Sequence, residues 1–277
     1  IRISGGGKCN FTNLNVSTEN FLSKNPCFAA SALSQFDQYD FMSLVNSASI
    51  SYHEKTLGQL FCDGSSSQII AMLMKELMLE NVTIRLSSTI ESIEHENNFI
   101  LQIEKTTIYS TSLVIACGGK SIPKIGASNF GYLIAKKFNH GIIDTRPALV
   151  PLLFANSNLN EIKSLAGISL RAAVTCEKKR FDEGFLFTHK GISGPSILQI
   201  SSYWQEGKSI DINLCPNENL FEKLIEVKSK FGSKNIENIL SRFIPNRLAR
   251  VMLEMIGARG KIANQSKKDI WAISQFI

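Results

Sequence analysis

The chain is predicted to be α/β, with helices and strands mixed in its first half, short strands in its middle and helices at its end. Residues 65–80 place Ile69, Ile70, Leu73 and Leu77 at helical spacing behind serines suited to an N-cap. Phe99, Leu101 and Ile103 alternate with Ile100, Gln102 and Glu104, which marks a strand. From Asn219 onward the spacing is helical again, as in Leu220, Leu224 and Val227 and then Leu248, Val251, Met252 and Met255.

The opening stretch SGGGKCNFTN, residues 4–13, is built like a ligand-holding turn. Gly5, Gly6 and Gly7 can take φ angles closed to other residues, so the backbone can approach a bound group and offer N–H donors as an anion nest. Lys8, Cys9, Asn10, Thr12 and Asn13 crowd donors and acceptors around it. The spacing is not that of a phosphate loop, since no Gly-Lys-Ser/Thr ending is present, and a plain Gly-rich surface turn would look the same. Residues 25–39 and 40–48 read as short helices, and 50–61 as extended chain interrupted at Gly58. Helix 65–80 should pack on a sheet formed by residues 82–86, 89–95, 99–104, 106–109 and 112–116, with Glu96, Asn97 and Asn98 as a hairpin tip. The apolar run 113–116 predicts a strand buried on both faces. It ends at Cys117-Gly118-Gly119, and glycines at the carboxyl end of a central strand mark a ligand crevice, although a simple strand-to-loop turn has the same residues.

Residues 129–138 form the next predicted helix, stopped by 139–141, and the prolines at 147 and 151 mark a crossing between domains. Strands at 153–155, 169–176, 185–187 and 209–214 with a helix at 195–203 suit a small β-barrel-like domain. The expected boundaries are 1–148, 149–215 and, for a helical insert domain, 216–277.

At 277 residues, with 44% hydrophobic and 19% charged content, the chain has room for two or three domains. No apolar run approaches a membrane span and no leader pattern opens the sequence, so a cytoplasmic location without membrane partners is expected. The net charge of +6 is spread over single residues instead of one dense block, and nucleic acid is not expected as a partner. The six cysteines form no Cys-x-x-Cys pair and no His/Cys/Asp cluster has metal-ligand spacing, so mostly buried thiols and no metal are expected, with Cys9, inside the turn, the one thiol placed for activation by main-chain donors, although packing is the plainer reading. Ser193 does not sit in a Gly-x-Ser-x-Gly elbow and reads as a helix start before Pro195.

Taken with LGQLFCDGSSSQI (57–69), LVIACGGKSIPKIGASNFGY (113–132), TRPALVPL (145–152) and LFTHKGISGPSILQISSYW (186–204), the opening loop resembles the aminoacetone-oxidase-like, BaiN-type flavoproteins of the glutathione-reductase-like superfamily. The resemblance runs to about Cys215. It implies a partial FAD/NAD(P)-binding Rossmann-like domain with a β-meander, followed by the β-barrel-like domain and helical insert. It also implies an FAD-dependent oxidoreductase that passes electrons from NAD(P)H or a small amine or carbonyl substrate to oxygen or an unsaturated acceptor. By this resemblance Gly5, Gly6, Gly7, Lys8, Cys9, Asn10 and Asn13 meet the pyrophosphate or flavin ring. Ile90 lies beside the adenine, and Ala116, Cys117, Gly118 and Gly119 line the ribose and pyrophosphate side. Thr188 and His189 face the substrate, where a histidine suits proton transfer, although a histidine satisfying a turn beside Gly191 fits equally.

The family's opening strand, Gly-x-Gly-x-x-Gly turn and helix do not precede Ile1, and its closing flavin segment does not follow Ile277. The resemblance thus implies an internal piece, expected to hold FAD weakly by itself because the missing helix N-terminus is worth about 2 kcal/mol to the pyrophosphate. The alternative is a non-catalytic remnant or basic module that contacts nucleic acid or a partner protein.

Overall fold

Helix capping organises the first elements of the chain. The computed structural model describes residues 1–154 and 163–277, which cluster into two units, Ile1–Ile143 and Asp144–Ile277. In the first, Asp37 Oδ1 accepts from the amides of Tyr39 (2.7 Å) and Asp40 (3.1 Å), and the Asp40 carboxylate accepts from the amide of Asp37 (2.8 Å). This reciprocal box satisfies amides that the first helical turn leaves without partners. It starts α2 (Gln38–Ser47) directly after α1 (Ala30–Gln35).

Three short antiparallel strands, β1 (Asn10–Asn13), β2 (Tyr52–Glu54) and β3 (Gln59–Cys62), pair in the order β1-β3-β2. Helix α3 (Ser67–Leu79) buries Ile69 and Met72 in a core with Cys9, Val45, Ile50 and Cys62. Its second half leaves Leu77, Met78 and Leu79 exposed, because only the first turns reach this small core. A second antiparallel sheet is the meander β4 (Ile90–His95), β5 (Phe99–Ile103) and β6 (Thr106–Ser110), whose predicted tip closes through Glu96 N–H to Asn98 O (3.1 Å). Helix α4 (Phe130–Lys137) is tied to it by the Lys137–Glu94 ion pair and by Phe138 lying edge-on to Phe99. Asn139, at φ 58°, ends α4 in a left-handed turn.

Two predicted strands are corrected. Residues 82–86 and 113–116 form no strand and pair with none among the described residues. Leu86 and Val114 are each 83% exposed, so the run expected to be buried on both faces is open. A strand of this kind is buried only when sheet neighbours and covering helices flank it, and its own sequence supplies neither.

The second unit is built on a five-stranded antiparallel sheet, β7 (Leu152–Leu153), β8 (Ser169–Cys176), β9 (Lys179–Phe187), β10 (Gly191–Ser193) and β11 (Asp211–Asn213), in the order β11-β8-β9-β10-β7. The predicted strand 185–187 is the end of the longer β9, and Ala155, placed in a strand from sequence, lies outside the described residues. Helix α5 (Pro195–Ser201) starts after Gly194 with Pro195 in its first turn. Four helices follow: α6 (Leu220–Phe231), α7 (Ile236–Leu240), α8 (Asn246–Met255) and α9 (Lys267–Phe276), with Asn219, Asn235 and Ser266 capping α6, α7 and α9.

Sheet and helices share one core, in which Phe185, Ile197 and Ile200 meet Leu224, Ile239 and Leu248. Each such buried side chain contributes about 1.5–3 kcal/mol of transfer free energy. Glycine is required where β10 crosses β7, since a Cβ on Gly191 would lie 2.0 Å from the Leu152 carbonyl oxygen. Gly191→Ala should therefore destabilise this unit by about 1–3 kcal/mol. Urea unfolding followed by tryptophan fluorescence checks it, because both tryptophans, Trp204 and Trp271, lie in this unit.

Candidate functional site

The first glycine turn is a short 3-10 turn, Ser4–Gly7, with φ of 56° at Gly5, 68° at Gly6 and 86° at Gly7. All three are left-handed values that side chains disfavour. The turn closes through Cys9 N–H to Ser4 O (3.1 Å), and Cys9 itself takes φ 52°. A Cβ at Gly5 would sit 2.7 Å from the Asn10 nitrogen and 2.7 Å from a ring carbon of Phe61, so this glycine seats the turn on β3. Gly6 and Gly7 differ, because a Cβ at either would meet nothing. Their backbone faces open space, as the approach of a bulky anion requires.

The polar side chains around the turn are used for scaffolding. Lys8 Nζ donates to Asp63 O (2.7 Å), and Asn13 Nδ2 donates to Leu57 O (2.9 Å) while its oxygen accepts from the Asn15 amide (2.7 Å). With its amide turned to donate, Asn10 reaches Leu60 O (3.2 Å). The donors left to face a ligand are therefore main-chain ones. Ser66, buried at the start of α3, holds both ends of the turn: its amide donates to Gly7 O (2.8 Å) and its hydroxyl to Arg2 O (2.7 Å).

Two neighbourhoods were not foreseen from sequence, where His53 and the cysteines look isolated. Pairing of β2 with β3 brings His53 Nδ1 within 2.6 Å of Asp63 Oδ1, with the imidazole stacked over Phe61. Pairing of β1 with β3 sets Asn10 opposite Phe61, and hence the buried thiols of Cys9 and Cys62 as neighbours in one core. Burial pushes the Cys62 thiol above its ordinary range, and Cys9 and Asp63 add to the effect. Neutral Cys62 is thus a packing group, and Cys9 is buried with it instead of facing the turn's opening. Cys9, Cys62, Cys176 and Cys215 are buried, as expected of most of the thiols, while Cys27 and Cys117 are exposed.

The second glycine turn lies before α4. Gly118 takes φ 74° with open space where a Cβ would be, and a Cβ on Gly119 would stand 3.4 Å from the Tyr132 hydroxyl. Gly131, one residue inside α4, lets the chain around Ile115 and Cys117 approach, since a Cβ there would lie 3.1 Å from Cys117 Sγ. Ala116 and Cys117 are exposed. Ile90 begins β4, half-buried opposite Ile103. Both turns belong to the first unit, but no hydrogen bond among the described residues joins them.

Thr188 and His189 form the β9–β10 hairpin tip in the second unit. The Thr188 hydroxyl donates to Gly191 O (3.0 Å) and accepts from the Gly191 amide (3.1 Å), so threonine, not histidine, closes the turn. His189 is exposed. A cavity of about 610 Å³ also lies in this unit, between edge strands β7 and β11, with Arg146, Pro151, Phe154, Trp204 and Ile212 in its walls. It contains none of the sequence-predicted site residues. Among the described residues no group of His, Cys, Asp or Glu is placed to hold a metal ion, and no helix is long and apolar enough to cross a membrane.

A family model described as "HI0933-like protein Rossmann domain" matches residues 1–257. The chain is 44% identical over 272 residues to a protein of Escherichia coli named ribosomal RNA dihydrouridine synthase, a match spanning 98% of this chain and 67% of that protein. It is 41% identical over 285 residues to one of the same name from Haemophilus influenzae, covering 100% and 71%. A 3-dehydro-bile acid delta(4,6)-reductase of Clostridium scindens is 26% identical over 215 residues, covering 75% and 51%. The resemblance drawn from sequence holds at the level of an FAD-binding, Rossmann-type oxidoreductase family. The finer aminoacetone-oxidase label is not the name these relatives bear.

Gly5→Ala should strip hydrogen-exchange protection from the amides of β1, whereas Gly6→Ala should leave it, apart from a backbone cost of about 1 kcal/mol. With a thiol reagent at pH 8, Cys27 and Cys117 should react in the native protein, and Cys62 and Cys215, both raised by burial, only after unfolding.

Proposed function

The chain belongs to the HI0933-like Rossmann-domain family, and from that premise we propose that it serves a flavin-dependent reduction of uridine in ribosomal RNA to dihydrouridine. The carrying observation is the identity above 40% to two proteins of that name over essentially the whole of this chain. Making dihydrouridine adds two hydrogens across a carbon–carbon double bond conjugated to a carbonyl. The name of the bile acid reductase describes the same acceptor chemistry, a conjugated alkene beside a ketone. This favours an unsaturated acceptor over oxygen among the outcomes the sequence leaves open.

The residues present fit a dinucleotide cofactor at two places. Gly6 and Gly7 in the first turn, and Gly118 in the second, combine left-handed backbone with unfilled space, which lets main-chain N–H groups reach a pyrophosphate. Ser66 and Phe61 keep the first turn in shape. Ile90 would lie beside the adenine. A bound flavin supplies the two-electron reservoir, with NAD(P)H as the proposed source of electrons. His189, left free by the Thr188 hydroxyl, is the proposed proton-handling residue on the substrate side.

The test supplies the protein with FAD in excess, a chemical or nicotinamide reductant, and ribosomal RNA from cells lacking the modification. Nucleosides from the digested RNA should include uridine heavier by two hydrogens. Gly118→Glu, which sets a carboxylate where the pyrophosphate would lie, should weaken FAD binding at least about tenfold. His189→Gln should lower turnover about a hundredfold without changing flavin content. Protein that takes up no flavin, yet binds RNA, would instead support the non-catalytic basic module.

A further inference from the structure

The excess positive charge of this protein is confined to one part of it. Residues 1–143 hold 11 Lys and Arg against 11 Asp and Glu, so the unit bearing both glycine turns is neutral, whereas residues 144–277 hold 19 against 13 and carry the whole net charge of +6. Within the latter, residues 232–268 hold eight basic side chains and two acidic ones. A chain in which the cofactor-type unit is neutral and one helical segment is strongly basic is partitioned between chemistry and polyanion attraction.

The fold gathers these cations instead of scattering them. Loops at 232–236 and 259–263 are bound to each other, with Asn235 bridging Lys261, Ile236 N–H donating to Gly260 O (2.9 Å) and Ile262 N–H donating to Lys234 O (2.9 Å). This brings Lys234, Arg259 and Lys261 together, and Arg250 from α8 meets Arg259 around a hollow of about 240 Å³ that Glu237 and Glu254 share. Arg242 and Arg247 flank the turn between α7 and α8. These basic side chains are exposed, and among the described residues none is in an ion pair; the pairs just before the segment are Lys223–Glu218, at the start of α6, and Lys230–Glu226, on α6.

Lys267 and Lys268 occupy the first turn of α9, the helix end where a cation is disfavoured. One turn on from Lys267, on the same helix face, stands Trp271, 55% exposed. Such an indole beside lysines fits a nucleobase stacked on its face with neighbouring phosphates neutralised.

We propose that this helical segment is the RNA-binding face of the protein, its arginines and lysines holding phosphates of structured RNA and Trp271 stacking on an unpaired base. The inference rests on the ribosomal RNA reading above and assigns to this segment the capture of the large substrate, apart from the glycine turns.

Two variants of the full protein test it: Arg242→Gln, Arg250→Gln, Arg259→Gln and Lys261→Gln combined, and Trp271→Ala. Binding to deproteinised ribosomal RNA is measured across a salt series, beside FAD binding and thermal melting. The combined variant should bind RNA roughly 10–100-fold more weakly near physiological salt and lose about 2–4 from the slope of log affinity against log salt. Trp271→Ala should lower affinity while leaving that slope in place. FAD binding and melting should match the unsubstituted protein in both. Wild-type protein that reduces uridine in RNA while the variants bind with unchanged affinity and slope overturns this inference and leaves the proposed function standing. Wild-type protein that binds flavin but no RNA overturns both. Loss of binding to anionic phospholipid vesicles with RNA binding intact would assign the face to a membrane surface and likewise overturn it.

Discussion

The placement of the candidate site depends on a contact made by the absence of a side chain. Gly5 lies so close to the Asn10 nitrogen and the Phe61 ring that no Cβ fits, and this contact presses the opening turn onto β3. Everything else in the turn follows from it: Cys9 is driven into the core beside Cys62, and Gly6 and Gly7 are left as the part that faces outward. Phe61 carries more than one load, since His53 stacks on its ring and the Lys55 ammonium lies 5.0 Å from its centroid. Ser66 completes the arrangement from the helix side. A loop with three left-handed glycines is costly to order, and these few fixed contacts are what hold it.

The second unit solves a different problem. A five-stranded antiparallel sheet and four terminal helices meet in one hydrophobic core, so the basic helices are anchored to the sheet by apolar packing while their outer faces stay charged. The same α9 that buries Ile270 and Ile273 leaves Lys267, Lys268 and Trp271 exposed. Amphipathic spacing, not an additional domain, is enough to create a charged surface there.

Local rules made much of the fold legible in the sequence. Strand β8 was readable to the residue, its apolar run Ala172–Val174 lying between polar residues, and helix α3 because its spacing is long and regular. Helix α2 starts two residues before the expected position, since the Asp37–Asp40 box sets its origin more strongly than the hydrophobic pattern does. Strand β10 has three residues and no pattern of its own; it exists because Gly191 lets it slide against Leu152. At the candidate site the glycine turns were visible as composition. The Ser66 clamp, the His53–Asp63 pair and the Cys9–Cys62 neighbourhood were not, because each joins residues brought together by strand register or helix placement. The gathering of the cations was hidden for a related reason: single lysines and arginines look dispersed along the chain until the loops at 232–236 and 259–263 are seen to touch.

The two open apolar stretches of the first unit have a consequence for handling the protein. Val82, Ile84 and Leu86, with Val114 and Ile115, present aliphatic surface to water in segments that join no sheet among the described residues, a combination that recruits further strands from other molecules. In concentrated solution this chain should self-associate through its neutral half, where no net like-charge repulsion opposes contact, and its colloidal behaviour will be governed by the half that carries neither tryptophan.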